Sequence, residues 1–204
     1  RTAKWKAIVE SELNHLDDKC REFADALGFP MFVKPANCGS SIGVNKATDL
    51  ESLANAIKYA FAHDKKVIVE EFITGQEIEC AVFGNESPIA SIIGEIAPAN
   101  DFYDYEAKYI LGSTNLYIPA RIDEKSSDKV RETAVIAFKA MGCTGLSRVD
   151  FFLEKDGGII LNEINTLPGF TPISMYPKLM EAIGVPYGDL LDKLIKLAFE
   201  RADI

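Results

Sequence analysis

The feature that most constrains this chain is a pair of apolar runs facing each other across a tight turn. Gly145-Leu-Ser-Arg-Val-Asp-Phe-Phe-Leu-Glu154 leads through Lys155-Asp-Gly-Gly158 into Ile159-Ile-Leu-Asn-Glu-Ile-Asn165. Asp156-Gly157 between apolar runs is a strong hairpin signal, because both residues accept the positive φ of the favoured turn. Closing the hairpin there sets Glu154 opposite Ile159, Phe152 opposite Leu161, Asp150 opposite Glu163 and Arg148 opposite Asn165. A four-residue loop gives the same register. Side chains alternate along a strand, so Arg148, Asp150, Glu163 and Asn165 share one face. Directly opposed Cβ atoms lie about 4.5–5.5 Å apart, and like charges so placed repel. Two carboxylates beside an amide oxygen are unfavourable unless a hard divalent cation sits among them. The competing reading is a solvated face on which Arg148 neutralises one acid.

With 204 residues, 48% hydrophobic and 26% charged, the chain can bury one large core or two compact subdomains. No run approaches the roughly 18 apolar residues of a membrane span, and no signal-like segment opens the sequence. Cys20, Cys38, Cys80 and Cys143 show neither CxxC nor Cys/His spacing and read as reduced thiols of a cytoplasmic protein. A net charge of −9 and a pI near 4.8 exclude a general nucleic-acid surface. An anionic ligand therefore needs a local positive pocket. The chain opens at Arg1 without methionine and reads as a processed or truncated product.

Leu16, Cys20, Phe23, Ala24 and Leu27 recur at helical spacing until Gly28. A short strand over residues 31–33 precedes a turn-rich stretch, and Thr48 with Glu51 predicts a capping box. The helix it opens has Leu50, Leu53, Ala54, Ile57 and Phe61 as its buried stripe. Strands are predicted over 67–73, 78–83 and 89–96. Residues 97–115 lack periodicity and predict a long functional loop. Val130, Ala134, Ala137, Phe138 and Met141 mark a helix ended by Gly142. Leu190, Leu191, Leu194, Leu197 and Ala198 mark a closing one. Strands and helices mix without strict βαβ alternation, so the expected class is α+β in two lobes, divided as residues 1–79 and 80–204.

Lys34 sits at a strand end, and Gly39-Ser-Ser-Ile-Gly43 follows. Such a loop can aim backbone N–H groups and hydroxyls at a phosphate; a tight connection between two strands is an equal reading. Glu70-Glu71 with Glu77 reads either as edge-strand charge or as contacts for an adenine and a ribose. Asp101-Phe-Tyr-Asp-Tyr-Glu-Ala-Lys-Tyr109 exposes four aromatics unless they cover something, as a lid would; the alternative is a satellite cluster under a loop. Pro168-Gly169 forces a turn in which the Gly169 N–H can approach a ligand carbonyl. His15 and His63 read as solvated helix-surface residues.

Taken together, Phe32-Val-Lys-Pro35 with Gly39-Ser-Ser-Ile-Gly43, Val69-Glu-Glu71, Tyr103-Asp-Tyr-Glu-Ala-Lys-Tyr109, Arg148-Val-Asp150 and Asn162-Glu-Ile-Asn-Thr-Leu-Pro-Gly169 resemble D-alanine–D-alanine ligase of the ATP-grasp superfamily. The resemblance runs in order from about Gly28 to the C-terminus. It implies two α+β lobes with the nucleotide between them. Lys34 and Lys108 then serve the ATP phosphates, with Ser41 in the glycine-rich loop and Ser40 paired with Tyr109 beside the substrate. Glu70, the Glu71 and Ile73 backbone and Glu77 match the adenine and ribose contacts, Phe102 a lid residue, and Phe152 and Asn162 further cofactor contacts. Asp150, Glu163 and Asn165 match ligands of magnesium, with two ions implied and manganese an alternative. Arg148 and the Gly169 N–H match the groups that polarise the acyl phosphate and tetrahedral intermediate. Ser174 and Met175 match the pocket of the second amino acid's carboxylate.

What the resemblance implies is an ATP-dependent ligase of cell-wall peptidoglycan synthesis, acting on D-alanine in the cytoplasm, with no nucleic-acid or membrane partner. It implies a homodimeric full-length parent. Nothing here matches the family's N-terminal domain, so the expectation is a catalytic fragment that binds ATP and makes little dipeptide alone. Two other readings stay open: a ligase taking D-serine or D-lactate second, and a nucleotide-binding module without turnover.

Overall fold

The structure, a computed structural model, describes residues 1–97, 115–171 and 173–202. These residues form two compact units. The first covers Thr2–Ile73; the second covers Thr74–Ala97 and the residues from Asn115 onward, together with Arg1. The units part between Ile73 and Thr74, and one strand runs unbroken across residues 79 and 80.

In the first unit, β1 (Trp5–Val9), β2 (Met31–Pro35), β3 (Asn45–Ala47) and β4 (Lys66–Glu71) form an antiparallel sheet in the order β1-β4-β2-β3. Helices α1 (Leu16–Leu27) and α2 (Leu50–Phe61) cover one face. The alternation of each strand decides which side chains they meet: Ile8, Met31, Val33, Val67 and Val69 are buried against Leu16, Phe23, Leu53 and Ile57. Gly28 ends α1 as expected. The cap of α2 differs from expectation by one residue. Asp49, not Thr48, is the N-cap, its Oδ1 accepting from Ser52 N–H at 2.7 Å while Ser52 Oγ accepts from Asp49 N–H at 3.0 Å. The pair needs no Glu51. Leu50 then falls in the first turn, 44% exposed, and the buried stripe is Leu53, Ala56, Ile57 and Ala60. The ladder of β4 ends at Glu71 rather than 73, where Phe72 N–H turns back to Pro30 O.

The second unit is built on β5 (Gln76–Gly84), β6 (Ile89–Ala97), β7 (Asn115–Tyr117), β8 (Gly145–Leu153) and β9 (Ile159–Asn165), antiparallel in the order β7-β6-β5-β8-β9. Helix α3 (Glu124–Ala140) lies on one face, where Val130, Ala134 and Phe138 meet Ile78, Cys80, Val82, Ile93, Val149 and Phe151. Met141, expected in that stripe, is the C-cap and exposed. Helices α4 (Met175–Ala182) and α5 (Tyr187–Arg201) cover part of the opposite face through Ala81, Tyr176, Leu179, Met180 and Leu190. Of the stripe expected along α5, Leu190 is buried, Leu194 and Leu197 are half-buried, and Leu191 and Ala198 are exposed. Beside these helices the same sheet face carries Glu77, Glu79, Arg148 and Asp150, along with Phe152. All four cysteines are free. No helix among the described residues is long and apolar enough to cross a membrane.

Candidate functional site

The charged half of the second sheet reads as ordered rows of opposed residues. One row runs Ile96, Glu77, Phe152, Ile160 across β6, β5, β8 and β9. The next runs Gly94, Glu79, Asp150, Glu163, and beyond it Ala81, Arg148 and Asn165 stand in line. Asp150 is therefore opposite Glu163, and Arg148 opposite Asn165, as the hairpin register predicts. The tip differs. Phe152 faces Ile160 rather than Leu161, and Leu153 rather than Glu154 closes the ladder against Ile159. A five-residue connection spans 154–158, and Asn162 is the extra residue of a β-bulge that absorbs the odd count. Leu161 and Ile164 both pack on the α3 side, so Asn162 and Glu163 lie side by side between them, exposed on the acidic face.

Three carboxylates in or beside one row require positive charge, and Arg148 supplies it. Its Nε and Nη2 donate to Asp150 Oδ1 and Oδ2 at 2.8 and 2.7 Å, a bidentate pair, and Nε lies 3.1 Å from Glu79 Oε2. Burial disfavours the guanidinium charge, yet the hydrogen bond to Asp150 and the charges of Asp150, Glu79 and Glu163 outweigh it and hold Arg148 above its ordinary pKa. Burial pushes the Asp150 carboxyl above its ordinary value, and the Glu163 charge adds to this, against the pull of Arg148. Asn165 Nδ2 donates to Asp150 Oδ2 at 3.0 Å and to Glu163 Oε1 at 3.1 Å, bridging the two acids. A donor thus stands where a cation's charge would be favourable. Half a turn of the amide would present Oδ1 and make the set all-oxygen, which suits magnesium. Among the described residues no three His, Cys, Asp or Glu side chains are gathered closely enough to hold an ion alone. Ligand oxygens would have to complete the shell.

Glu79 was not legible as a site residue. Its signal is the polar residue between Ile78 and Cys80, on the face away from α3, but only the β5–β8 pairing brings it to Arg148.

At the end of the row, α4 crosses closely over β6. A Cβ at Gly94 would lie 2.9 Å from Met175 Sδ and 3.0 Å from Leu179 Cδ2, so glycine is what admits the helix. Met175 is itself buried in that packing. Ser174 is the N-cap of α4, and its Oγ accepts from Thr171 N–H at 3.0 Å. A Cβ at Gly169 would lie 2.8 Å from that Oγ, so the turn holding Gly169 against Ser174 also depends on glycine.

In the first unit, the open face of the sheet carries Trp5, Glu70, Phe32 and Lys46 as one row. Lys34 Nζ pairs with Glu70 Oε2 at 2.7 Å, diagonally across β2 and β4. Phe32 and Phe72 are 5.6 Å apart, and Lys46 Nζ lies 4.3 Å from the Phe72 centroid. Glu71 is tied to the start of β1: its N–H donates to Lys4 O, and Lys4 N–H donates to its Oε1. Ser40 and Ser41 both adopt left-handed backbone, with φ of 55° and 60°. Such conformations in non-glycine residues are concentrated at ligand clamps and switch regions. Ile73 follows Phe72 and is half-buried. Phe102, Lys108 and Tyr109, and the lid expected over 97–115 apart from its two end residues, lie outside the described residues.

The structure thus brings Arg148, Asp150, Asn162, Glu163 and Asn165 together on one face, with Glu77 and Phe152 in the neighbouring row, and separately brings Lys34 to Glu70. The family model described as "D-ala D-ala ligase C-terminus" matches residues 1–196. The D-alanine–D-alanine ligase of Ruminiclostridium cellulolyticum is 57% identical over 191 residues, which are 92% of this chain and 51% of the relative. That of Oceanobacillus iheyensis is 55% identical over 195 residues, 95% of this chain and 52% of the relative. The chain spans about half the length of the curated relatives it matches. Among solved structures, the VanG D-Ala:D-Ser ligase from Enterococcus faecalis superposes with a TM-score of 0.86 at 42% identity, over 96% of this chain and 56% of that one. The D-alanine–D-alanine ligase from Coxiella burnetii gives 0.85 at 35% identity, over 98% and 52%. A chain matched this fully in sequence and in fold belongs to the D-Ala–D-Ala ligase C-terminal family, with its ATP-grasp architecture.

Proposed function

We propose that this chain carries the nucleotide-binding and catalytic machinery of a D-alanine–D-alanine ligase, an ADP-forming enzyme of cytoplasmic peptidoglycan precursor synthesis. The observation that carries the reading is the acid pair Asp150 and Glu163 bridged by Asn165, with Arg148 alongside, in a member of this family. Lys34 and Ser41 would serve the ATP phosphates, Ser40 would pair with Tyr109 beside the substrate, Glu70, Glu71 and Ile73 would serve the adenine, and Glu77, Phe152 and Asn162 the rest of the nucleotide. Asp150, Glu163 and Asn165 would hold magnesium, which when bound offsets the negative charge that gathers on the transferring phosphoryl group.

The first D-alanine's carboxylate takes the γ-phosphoryl group of ATP, and the second D-alanine's amine then displaces phosphate from the activated carbonyl. Arg148 and the Gly169 N–H would stabilise the oxygen that becomes negative as the amine adds. Ser174 would orient the second substrate's carboxylate, with Met175 shaping the wall beside it. No covalent nucleophile is needed, since positioning and charge stabilisation supply the rate. The chain spans about half the length of these relatives, which supports further residues that complete the first D-alanine's site.

The test is product analysis with a chain as long as the relatives, given Mg·ATP, D-alanine, D-serine and D-lactate together. D-alanyl-D-alanine is the expected main product. The likeness to the VanG D-Ala:D-Ser ligase makes D-alanyl-D-serine the informative alternative, because one added hydroxyl discriminates weakly unless the pocket pairs it. Predominant depsipeptide or mixed D-Ala-D-Ser would overturn the second-substrate assignment. Nucleotide binding without any product would leave only a binding module.

A further inference from the structure

Glu79 is a carboxylate only 5% exposed on a strand whose neighbours Ile78 and Cys80 are core residues. A buried charge is retained only where partners compensate it. The register places Glu79 directly opposite Asp150, on the flank of β8 away from Glu163. Arg148 faces both Glu79 and Asp150, with Nε 3.1 Å from Glu79 Oε2 and 2.8 Å from Asp150 Oδ1. Asp150 Oδ2 is already shared, receiving Arg148 Nη2 at 2.7 Å and Asn165 Nδ2 at 3.0 Å.

From this geometry we infer that Glu79 is a positioning residue for Arg148 and a determinant of cation affinity at Asp150 and Glu163. The inference rests on the proposed cation role of those two acids. A divalent cation between them must share Asp150 with Arg148. Glu79 offers the guanidinium a second carboxylate, so Asp150 can turn its charge to the cation while Arg148 stays in place. With Glu79 neutral, the guanidinium settles wholly on Asp150 and competes with the cation. Glu79 therefore acts through Arg148, without touching cation or substrate.

The experiment is a Mn²⁺ titration of the 204-residue chain with an ATP analogue whose γ-phosphate cannot transfer, reading free Mn²⁺ by electron paramagnetic resonance. Glu79→Gln should raise the Kd about tenfold, the scale of losing one charge a few ångströms from a partly buried pair. Glu79→Asp should stay near the parent. In an Arg148→Met background the same Glu79→Gln change should alter the Kd less than about twofold, because coupled residues do not add. An equal effect in both backgrounds would mean charge acting at a distance and would overturn the inference. So would no effect with Arg148 present. A parent that binds Mn²⁺ no better than Asp150→Asn would instead refute the cation assignment itself, which separates the two failures. Circular dichroism of each variant, with Glu79→Asp as the gentler change, distinguishes lost affinity from lost fold.

Discussion

Replacing Arg148 by Met should destabilise the second unit by about 3 kcal/mol at neutral pH. The side chains concerned are buried to different degrees: 20% of Arg148 remains exposed, against 7% of Glu79 and 11% of Asp150. Removing one partner of a fully buried ion pair costs about 3–5 kcal/mol, because the survivor is left as uncompensated charge. The partial exposure of Arg148 favours the lower end of that range. Methionine keeps much of the volume, so little of the loss reflects a cavity. Tryptophan fluorescence is the wrong probe, since the only tryptophan, Trp5, belongs to the other unit. Amide exchange of the β8 and β9 backbone is the right one. About 3 kcal/mol corresponds to roughly a hundredfold loss of protection where exchange follows unfolding of the unit. Adding Asp150→Asn should restore about 1–2 kcal/mol by removing one orphaned charge. A loss below about 0.5 kcal/mol, or no recovery in the double variant, would show that solvent rather than Arg148 compensates the acid row.

Glu95→Gln should lower stability at neutral pH and remove part of the acid sensitivity. Arg121 pairs with Glu95 through two nitrogens and its backbone N–H, and the Arg121 hydrogen bond holds the carboxyl below its ordinary value against the burial that raises it. A depressed carboxyl contributes stability that is full above the unfolded value near 4.5 and fades as pH falls through the folded one; urea titrations at pH 7 and pH 3 should show the two proteins converging, and a constant gap refutes the linkage. Gly94→Val should cost about 1–3 kcal/mol by overpacking α4 against β6, and Met175→Ala should relieve it; additive losses in a thermal melt would contradict the packing argument. Asp49→Ala should lower the melting temperature more than Thr48→Ala, the reverse of what the predicted cap requires.

The open end of the acidic hairpin was legible because its information is local: alternation, an Asp-Gly turn and two acids at matching distances from it. The bulge was not, since nothing in Leu161-Asn162-Glu163 distinguishes an extra residue from a regular one until the opposite strand is fixed. Glu79 escaped for the same reason, its partner lying 69 positions away on a strand paired by long-range register. β3 is three residues long and follows no alternation of its own, so it exists only because β2 offers an edge. The α2 cap slipped by one because Asp49 and Thr48 both suit an N-cap, and Ser52, an unremarked partner, settled the choice. Along α5 the apolar spacing is genuine, yet only Leu190 and Leu194 join the buried cluster against the sheet.

The bulge at Asn162 has a consequence for inherited variation in this hairpin. A one-residue slip turns every following side chain of a strand to the other face. Asn162 is the exception, since the alternation does not need it: without it Leu161, Glu163, Ile164 and Asn165 would alternate regularly, with Glu163 still opposite Asp150. The connection over 154–158 lies on the far side of the bulge, at the tip, where the chain is exposed at Lys155 and Asp156. Its length can drift among descendants without disturbing the acids, provided the tip resettles on its own. A codon lost at Ile164 is the unequal event, because no spare residue absorbs it there and Asn165 would turn away from Asp150.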